Sequence, residues 1–155
     1  MSDSASTQNQ FASGGGCQAN PDFILNPVTA TAAAGTTLLL QEGQSNSLIT
    51  IPALSAAQKI YIPSATGPQG ISYTFTASGT LGQICTIAPT GANMTQIYGL
   101  LMNTTASGGM TGTAKAAAAS VAMSATTVTG DSVSFQSDGS KWYVKGVSAV
   151  PASLS

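Results

Sequence analysis

From Thr36 onward, apolar and polar positions alternate over short runs bounded by turn residues, the pattern of β-strands with one buried face. The clearest case is Gly130–Val147, GDSVSFQSDGSKWYVKGV, which predicts a β-hairpin. Asp138-Gly139 supply a two-residue turn, because both residue types tolerate positive φ and so match the twist of paired strands. That turn sets Phe135 opposite Trp142, Val133 opposite Val144, Gln136 opposite Lys141 and Ser134 opposite Tyr143. Val133, Phe135, Trp142 and Val144 then share one apolar face. Ser132, Ser134, Gln136, Lys141, Tyr143 and Lys145 share a mostly polar one. The pattern is that of a core hairpin, with Trp142 inside it rather than serving as a ligand platform.

Other segments repeat the signal. Thr37–Gln41 carries Leu38, Leu39 and Leu40, and Glu42–Asn46 reads as a loop. Ser47–Ile51 places Ile49 and Ile51 on one face, and Pro52 ends it. Lys59–Ile62 alternates through Ile60 and Ile62 before Pro63. Prolines at strand ends suit edges and corners, where no ladder donor is needed. Ile71–Ala77 buries Ile71, Tyr73, Phe75 and Ala77 against Ser72, Thr74 and Thr76 outside. Gln83–Ala88 returns with either Cys85 and Ile87 or Ile84 and Thr86 inward, and Ile97–Met102 is a further apolar strand. Ala114–Ala125 has alanines that favour helix, but glycines precede it and Val121 and Met123 alternate within it. A strand at about Ala117–Ser124 is expected, a short helix being the other reading. Pro151 ends the hairpin region, and Ala152–Ser155 is a short tail. Eight to ten strands with turns every 8–12 residues or so predict an all-β fold, a β-sandwich or jelly-roll-like domain over residues 36–155. No solenoid period is visible.

Residues 1–35 differ. Ser, Ala, Gln, Asn and Gly dominate, and Gly14-Gly15-Gly16 sit in the middle. Such a segment buries too little apolar area to offset its ordering entropy, so an extended N-terminal arm is expected. Phe11, Phe23, Ile24 and Leu25 are its candidate anchors, on a partner surface or back on the domain itself.

Composition changes the picture most through charge. Of 155 residues only 6% are charged, against about 25% in an average soluble domain, and the net charge is −1. Little electrostatic repulsion keeps copies apart. The absence of Arg and the scatter of Lys59, Lys115, Lys141 and Lys145 argue against a nucleic-acid partner. The absence of His removes the commonest general base and metal ligand. The carboxylates are Asp3, Asp22, Glu42, Asp131 and Asp138, and a paired-carboxylate hydrolase would need Glu42 with Asp131. Ser, Thr or Cys85 would lack a histidine base as nucleophiles. No enzyme activity, cofactor or metal is expected. Cys17 and Cys85 are read as free thiols. Met1-Ser2-Asp3 opens a polar, acidic stretch unlike a signal peptide, and no apolar run nears the ~20 residues that span a bilayer, so no membrane partner is expected.

The closing hairpin, Gly130 to Val144, resembles the terminal hairpin of tailed-phage structural proteins, among them capsid decoration (cement) proteins and some fibre or head-spike modules. Upstream, Ser47–Pro52, Ala53-Leu54, Lys59–Pro63, Tyr73–Ala77 and Gly82–Pro89 look like that group too, so the likeness covers residues 36–147 and omits the arm. It implies a virion structural protein on the capsid outer surface, often a homotrimer, bound to major capsid subunits and carrying no catalytic residue. The arm would then reach neighbouring subunits. The other expectation is a receptor- or glycan-binding module of a fibre or spike, with Tyr61, Tyr98, Tyr143 or Trp142 stacking on sugar rings.

Overall fold

The computed structural model describes residues 28–29, 37–66, 69–91, 96–150 and 154–155. The expected anchors Phe11, Phe23, Ile24 and Leu25 lie outside them. Eleven strands are described: β1 (Val28–Thr29), β2 (Thr37–Leu39), β3 (Ser47–Ile51), β4 (Gln58–Ile62), β5 (Ser72–Ala77), β6 (Cys85–Pro89), β7 (Ile97–Thr104), β8 (Met110–Ala118), β9 (Val121–Met123), β10 (Ser132–Ser137) and β11 (Trp142–Ser148). A seven-stranded sheet, ordered β1-β3-β5-β10-β11-β7-β8, packs on a four-stranded sheet, β2-β4-β6-β9. The protein is a β-sandwich.

Inward faces follow the alternation. Ile49 and Ile51 of β3, Tyr73, Phe75 and Ala77 of β5, and Val133, Phe135, Trp142 and Val144 of the β10–β11 hairpin are buried from one sheet. Ile60 and Ile62 of β4, Cys85 and Ile87 of β6, and Val121 and Met123 of β9 meet them from the other. The open choice in β6 is thereby settled: Cys85 and Ile87 face the core and Ile84 is exposed. Phe75, Phe135, Trp142 and Tyr73 form a run of tilted and edge-on rings with centroids 5.7–6.3 Å apart, the spacing aromatic quadrupoles favour. Their polar tips are satisfied at the rim. The Trp142 indole donates to the Pro63 carbonyl at 3.1 Å and the Tyr73 hydroxyl to that of Gln41 at 2.7 Å.

The topology holds a coil that sequence did not reveal. Strands β1 to β6 alternate between sheets, and β1, β3 and β5 in one sheet, like β2, β4 and β6 in the other, pair parallel. Val28 pairs with Ile49 and Ile49 with Phe75, steps of 21 and 26 residues. Leu38 pairs with Ile60 and Ile60 with Ile87, steps of 22 and 27. The steps are uneven because the turns between strands absorb the difference, so no fixed period survives in the sequence. Val28 and Thr29, within the expected arm, are the first strand of this coil.

The β10–β11 hairpin occupies the fourth and fifth places of the large sheet, between the coil and β7. Its register differs from expectation. Phe135 pairs with Val144, Gln136 with Tyr143 and Ser137 with Trp142, so the partners slip by two residues. The tip is Gly139-Ser140, with Gly139 at φ +90. Asp138 stays at the strand end, where its amide donates to the Lys141 carbonyl at 3.2 Å. A slip of two returns every side chain to its own face, so the apolar face is unchanged.

The alanine-rich run also differs. It is neither one strand nor a helix. β8 ends at Ala118 and β9 begins at Val121 in the other sheet. A register irregularity near Gly99 and a positive φ of 55 at Ala117 mark the bulge that turns the chain out of β8. The expected tail is part of the core: Leu154 is buried, pairs with Met123, and exchanges two hydrogen bonds with the Asn103 side chain at 2.8 and 3.0 Å.

Candidate functional site

Among the described residues no group of three or more His, Cys, Asp or Glu side chains could hold a metal ion. Cys85 is fully buried, and burial pushes its thiol up to about 12, so it stays protonated. Asp131 is buried, and its carboxylate accepts from the Val128 amide at 3.0 Å, the Ser148 hydroxyl at 2.8 Å and the Ala149 amide at 2.7 Å. These bonds clasp the start of β10 to the end of β11. Asp138 is a turn residue. It accepts from the Ser140 amide at 2.8 Å, the Lys141 amide at 2.7 Å, the Ser140 hydroxyl at 2.9 Å and the Tyr143 hydroxyl at 3.0 Å. Chiefly the two amide donors hold its carboxyl well down, to about 2. Both carboxylates are committed to the fold. Among the described residues no helix is long and apolar enough to cross a membrane.

The distinctive surface is the outer face of the seven-stranded sheet, which divides in two. Over β5 and β10 it is polar: Ser72, Thr74, Ser134 and Gln136, with Tyr143 and Lys145 of β11, line a groove of about 340 Å³. Thr74 and Ser134 share a hydrogen bond across it at 3.2 Å. Tyr143 is 47% exposed beside it and pairs in register with Tyr98, over whose ring the Lys141 ammonium sits 5.0 Å from the centroid. Over β11, β7 and β8 the same face turns apolar. Val147 pairs with Met102, Leu100 with Ala114, and Met102 with Gly112. Leu100 is 45%, Val147 51% and Met110 52% exposed. A clustered apolar strip of this kind marks an interaction surface more than scattered single residues do.

β8 adds an open edge. It is the last strand of the sheet, nine residues long, with Lys115 its single charge. Thr111 and Thr113 pair with the buried Asn103 and Leu101 of β7, yet are themselves exposed, because the four-stranded sheet does not extend beneath them. Among the described residues β8 is thus open on both faces from Met110 to Ala114 and has no strand along its outer backbone.

Of the aromatic residues considered for sugar stacking, Trp142 is fully buried. Tyr61 and Tyr98 are half-buried, and Tyr143 alone of the four is exposed. Sequence alone does not mark Leu100, Met102, Met110 and Val147 as a surface. The available signal was Leu100-Leu101-Met102, apolar on both faces of one strand.

The chain matches no protein-family model, no curated protein and no solved structure.

Proposed function

We propose that this protein is a virion structural protein of the capsid decoration type, working by adhesion and not by catalysis. It would sit on the outer surface of a shell of major capsid subunits, associate with copies of itself, as a homotrimer in the resembling group, and reach neighbouring subunits through the part of the arm that precedes β1. The observation that supports the reading best is the apolar strip of exposed Leu100, Met110 and Val147 with half-buried Met102, beside an open strand edge, on a chain with almost no charge. Free in solution, such a surface leaves apolar area hydrated and invites edge pairing. Under a neighbouring subunit it is desolvated, and many weak copies add by multivalency.

The test is binding of the full chain to capsids that lack it. Leu100→Ser with Val147→Ser should weaken saturation of the particles, as should Phe23→Ser with Ile24→Ser in the arm. Binding unchanged by both pairs would sink the reading. A second reading, a glycan- or receptor-binding module of a fibre or spike, is favoured by the groove beside exposed Tyr143. Sugar binding lost on Tyr143→Ala, together with a low copy number per particle, would select it.

A further inference from the structure

We propose that two copies of this chain pair antiparallel through β8, continuing the seven-stranded sheet across a two-fold axis at Gly112. The inference goes beyond the decoration reading and does not rest on it.

Natural sheets protect their edges with short strands, prolines, bulges or inward-pointing charges. The ladder of β8 with β7 is regular from Met110 to Lys115, and this part carries none of those devices except Lys115 at its far end. The bulge comes only afterwards, towards Ala118. A backbone row left open in this way is a template for another strand.

The sequence of the edge says which strand fits. Its regular part begins with the bulky Met110 and continues through the small Gly112 and Ala114 on the same outer face. Antiparallel pairing about Gly112 sets Met110 of each copy opposite Ala114 of the other and beside Gly112, large against small. The apolar strip of Leu100 and Met102 then runs on across the axis. On the other face, Thr111 of each copy stands opposite Thr113 of its mate, a favourable hydroxyl pair made twice by symmetry. Charge chooses the same direction. In this register the two Lys115 residues lie six positions apart along the ladder, roughly 20 Å at strand rise, beyond the Debye length of about 8 Å at physiological salt. Parallel in-register pairing would instead set Lys115 directly against Lys115. The contact is isologous and self-closing, so it joins copies in even numbers. Among trimers it would link one trimer to the next.

Sedimentation velocity and light scattering on the full chain, over a wide range of concentration, test this. The wild type should show a reversible species containing an even number of chains. Thr111→Lys with Thr113→Lys sets like charges face to face twice and should weaken association roughly tenfold. Thr111→Lys with Thr113→Glu sets opposite charges face to face and should restore it. All these positions are exposed, and emission from Trp142 verifies folding in each variant. A wild type that stays monomeric would mean that the edge takes another occupant, and would overturn the proposal. So would a species of three chains only, or equal loss in both variants. A monomer that still saturates capsids would refute the pairing and leave the decoration reading standing. An even-numbered oligomer that binds no particle would do the reverse.

Discussion

Two glycines on adjacent strands offer a sharp test of the packing around the central hairpin. Gly99 of β7 pairs with Val144 of β11 and has φ +145. A Cβ built there would lie 1.9 Å from the Val144 carbonyl oxygen and 2.9 Å from the Val144 carbonyl carbon and amide nitrogen. All three are backbone atoms, so relief requires the β7–β11 ladder to open. Gly146 is different. Its Cβ would meet Leu101 Cδ2 at 2.8 Å, Leu154 Cδ1 at 2.9 Å and Val133 Cγ2 at 3.3 Å, all side-chain ends that can turn aside. For Gly99→Ala, overpacking of about 1–3 kcal/mol adds to backbone strain of about 1–3 kcal/mol, giving about 2–6 kcal/mol. For Gly146→Ala, a similar packing cost is offset by the roughly 0.5–1 kcal/mol that Ala recovers in strand entropy over Gly, leaving about 1 kcal/mol. Against a total stability of about 5–15 kcal/mol, the first change removes a large share and the second a small one. Urea unfolding followed through Trp142, the single tryptophan and fully buried, reads both. Equal stability of the two variants, or the reverse order, would refute the assignment of Gly99 to a backbone contact and Gly146 to side-chain contacts.

Three further outcomes follow from the buried and capped polar groups. Asp131→Ala leaves the Val128 and Ala149 amides and the Ser148 hydroxyl without the carboxylate they donate to, and should cost about 3 kcal/mol or more in urea unfolding. Asp131→Asn, which keeps one acceptor oxygen, should cost less, and a neutral Asp131→Ala would end the view of this residue as a clasp. The Asp138 carboxyl is held down to about 2 in the fold, against about 3.9 unfolded. Its stabilising effect is therefore complete above about pH 4 and lost as pH falls through about 2. The stability difference between wild type and Asp138→Ala should shrink over that window, and a constant difference would contradict it. In a Cys17→Ser background, Cys85 should resist thiol reagents at mildly alkaline pH until the protein unfolds, because burial holds the thiol protonated. Rapid labelling of the native protein would show that the β6 thiol is accessible.

Sequence reads faces well here, and connections poorly. Ile49 and Ile51, Ile60 and Ile62, Tyr73 and Phe75, and Phe135 and Trp142 could be placed inside because a strand repeats every two residues and one face of each is buried. The hairpin register could not be read in the same way. Slips of two leave the apolar pattern untouched, and the deciding contacts are the donors from Ser140 and Lys141 that keep Asp138 at the strand end. In β8, alanines and threonines carry no burial signal, since from Met110 to Ala114 neither face is covered, so alternation leaves the strand unmarked. Leu154 gave no signal either. It is one apolar residue after a proline, and its burial depends on Asn103, a residue 51 positions away that satisfies its backbone. The candidate surface escaped for a related reason. Leu100-Leu101-Met102 is apolar on both sides of one strand, and alternation does not show which of those sides the second sheet covers.

The order of strands ties these points together. The coil supplies β1, β3 and β5 at one side of the large sheet, and β7 with β8 forms a hairpin at the other. Nothing pairs the two sides until β10 and β11 enter between them, and β10 is the middle strand of seven. Continuity of the sheet thus depends on pairings far apart in sequence, a topology in which loop closure precedes its reward and folding is slow. With the hairpin in place, a row of backbone is still open along β8 among the described residues. The hairpin therefore does more than fill the core: by joining the two sides it gives the β7–β8 edge a rigid backing. A rigid edge with almost no charge can offer a partner a preformed row of donors and acceptors without the ordering cost that a loop would add.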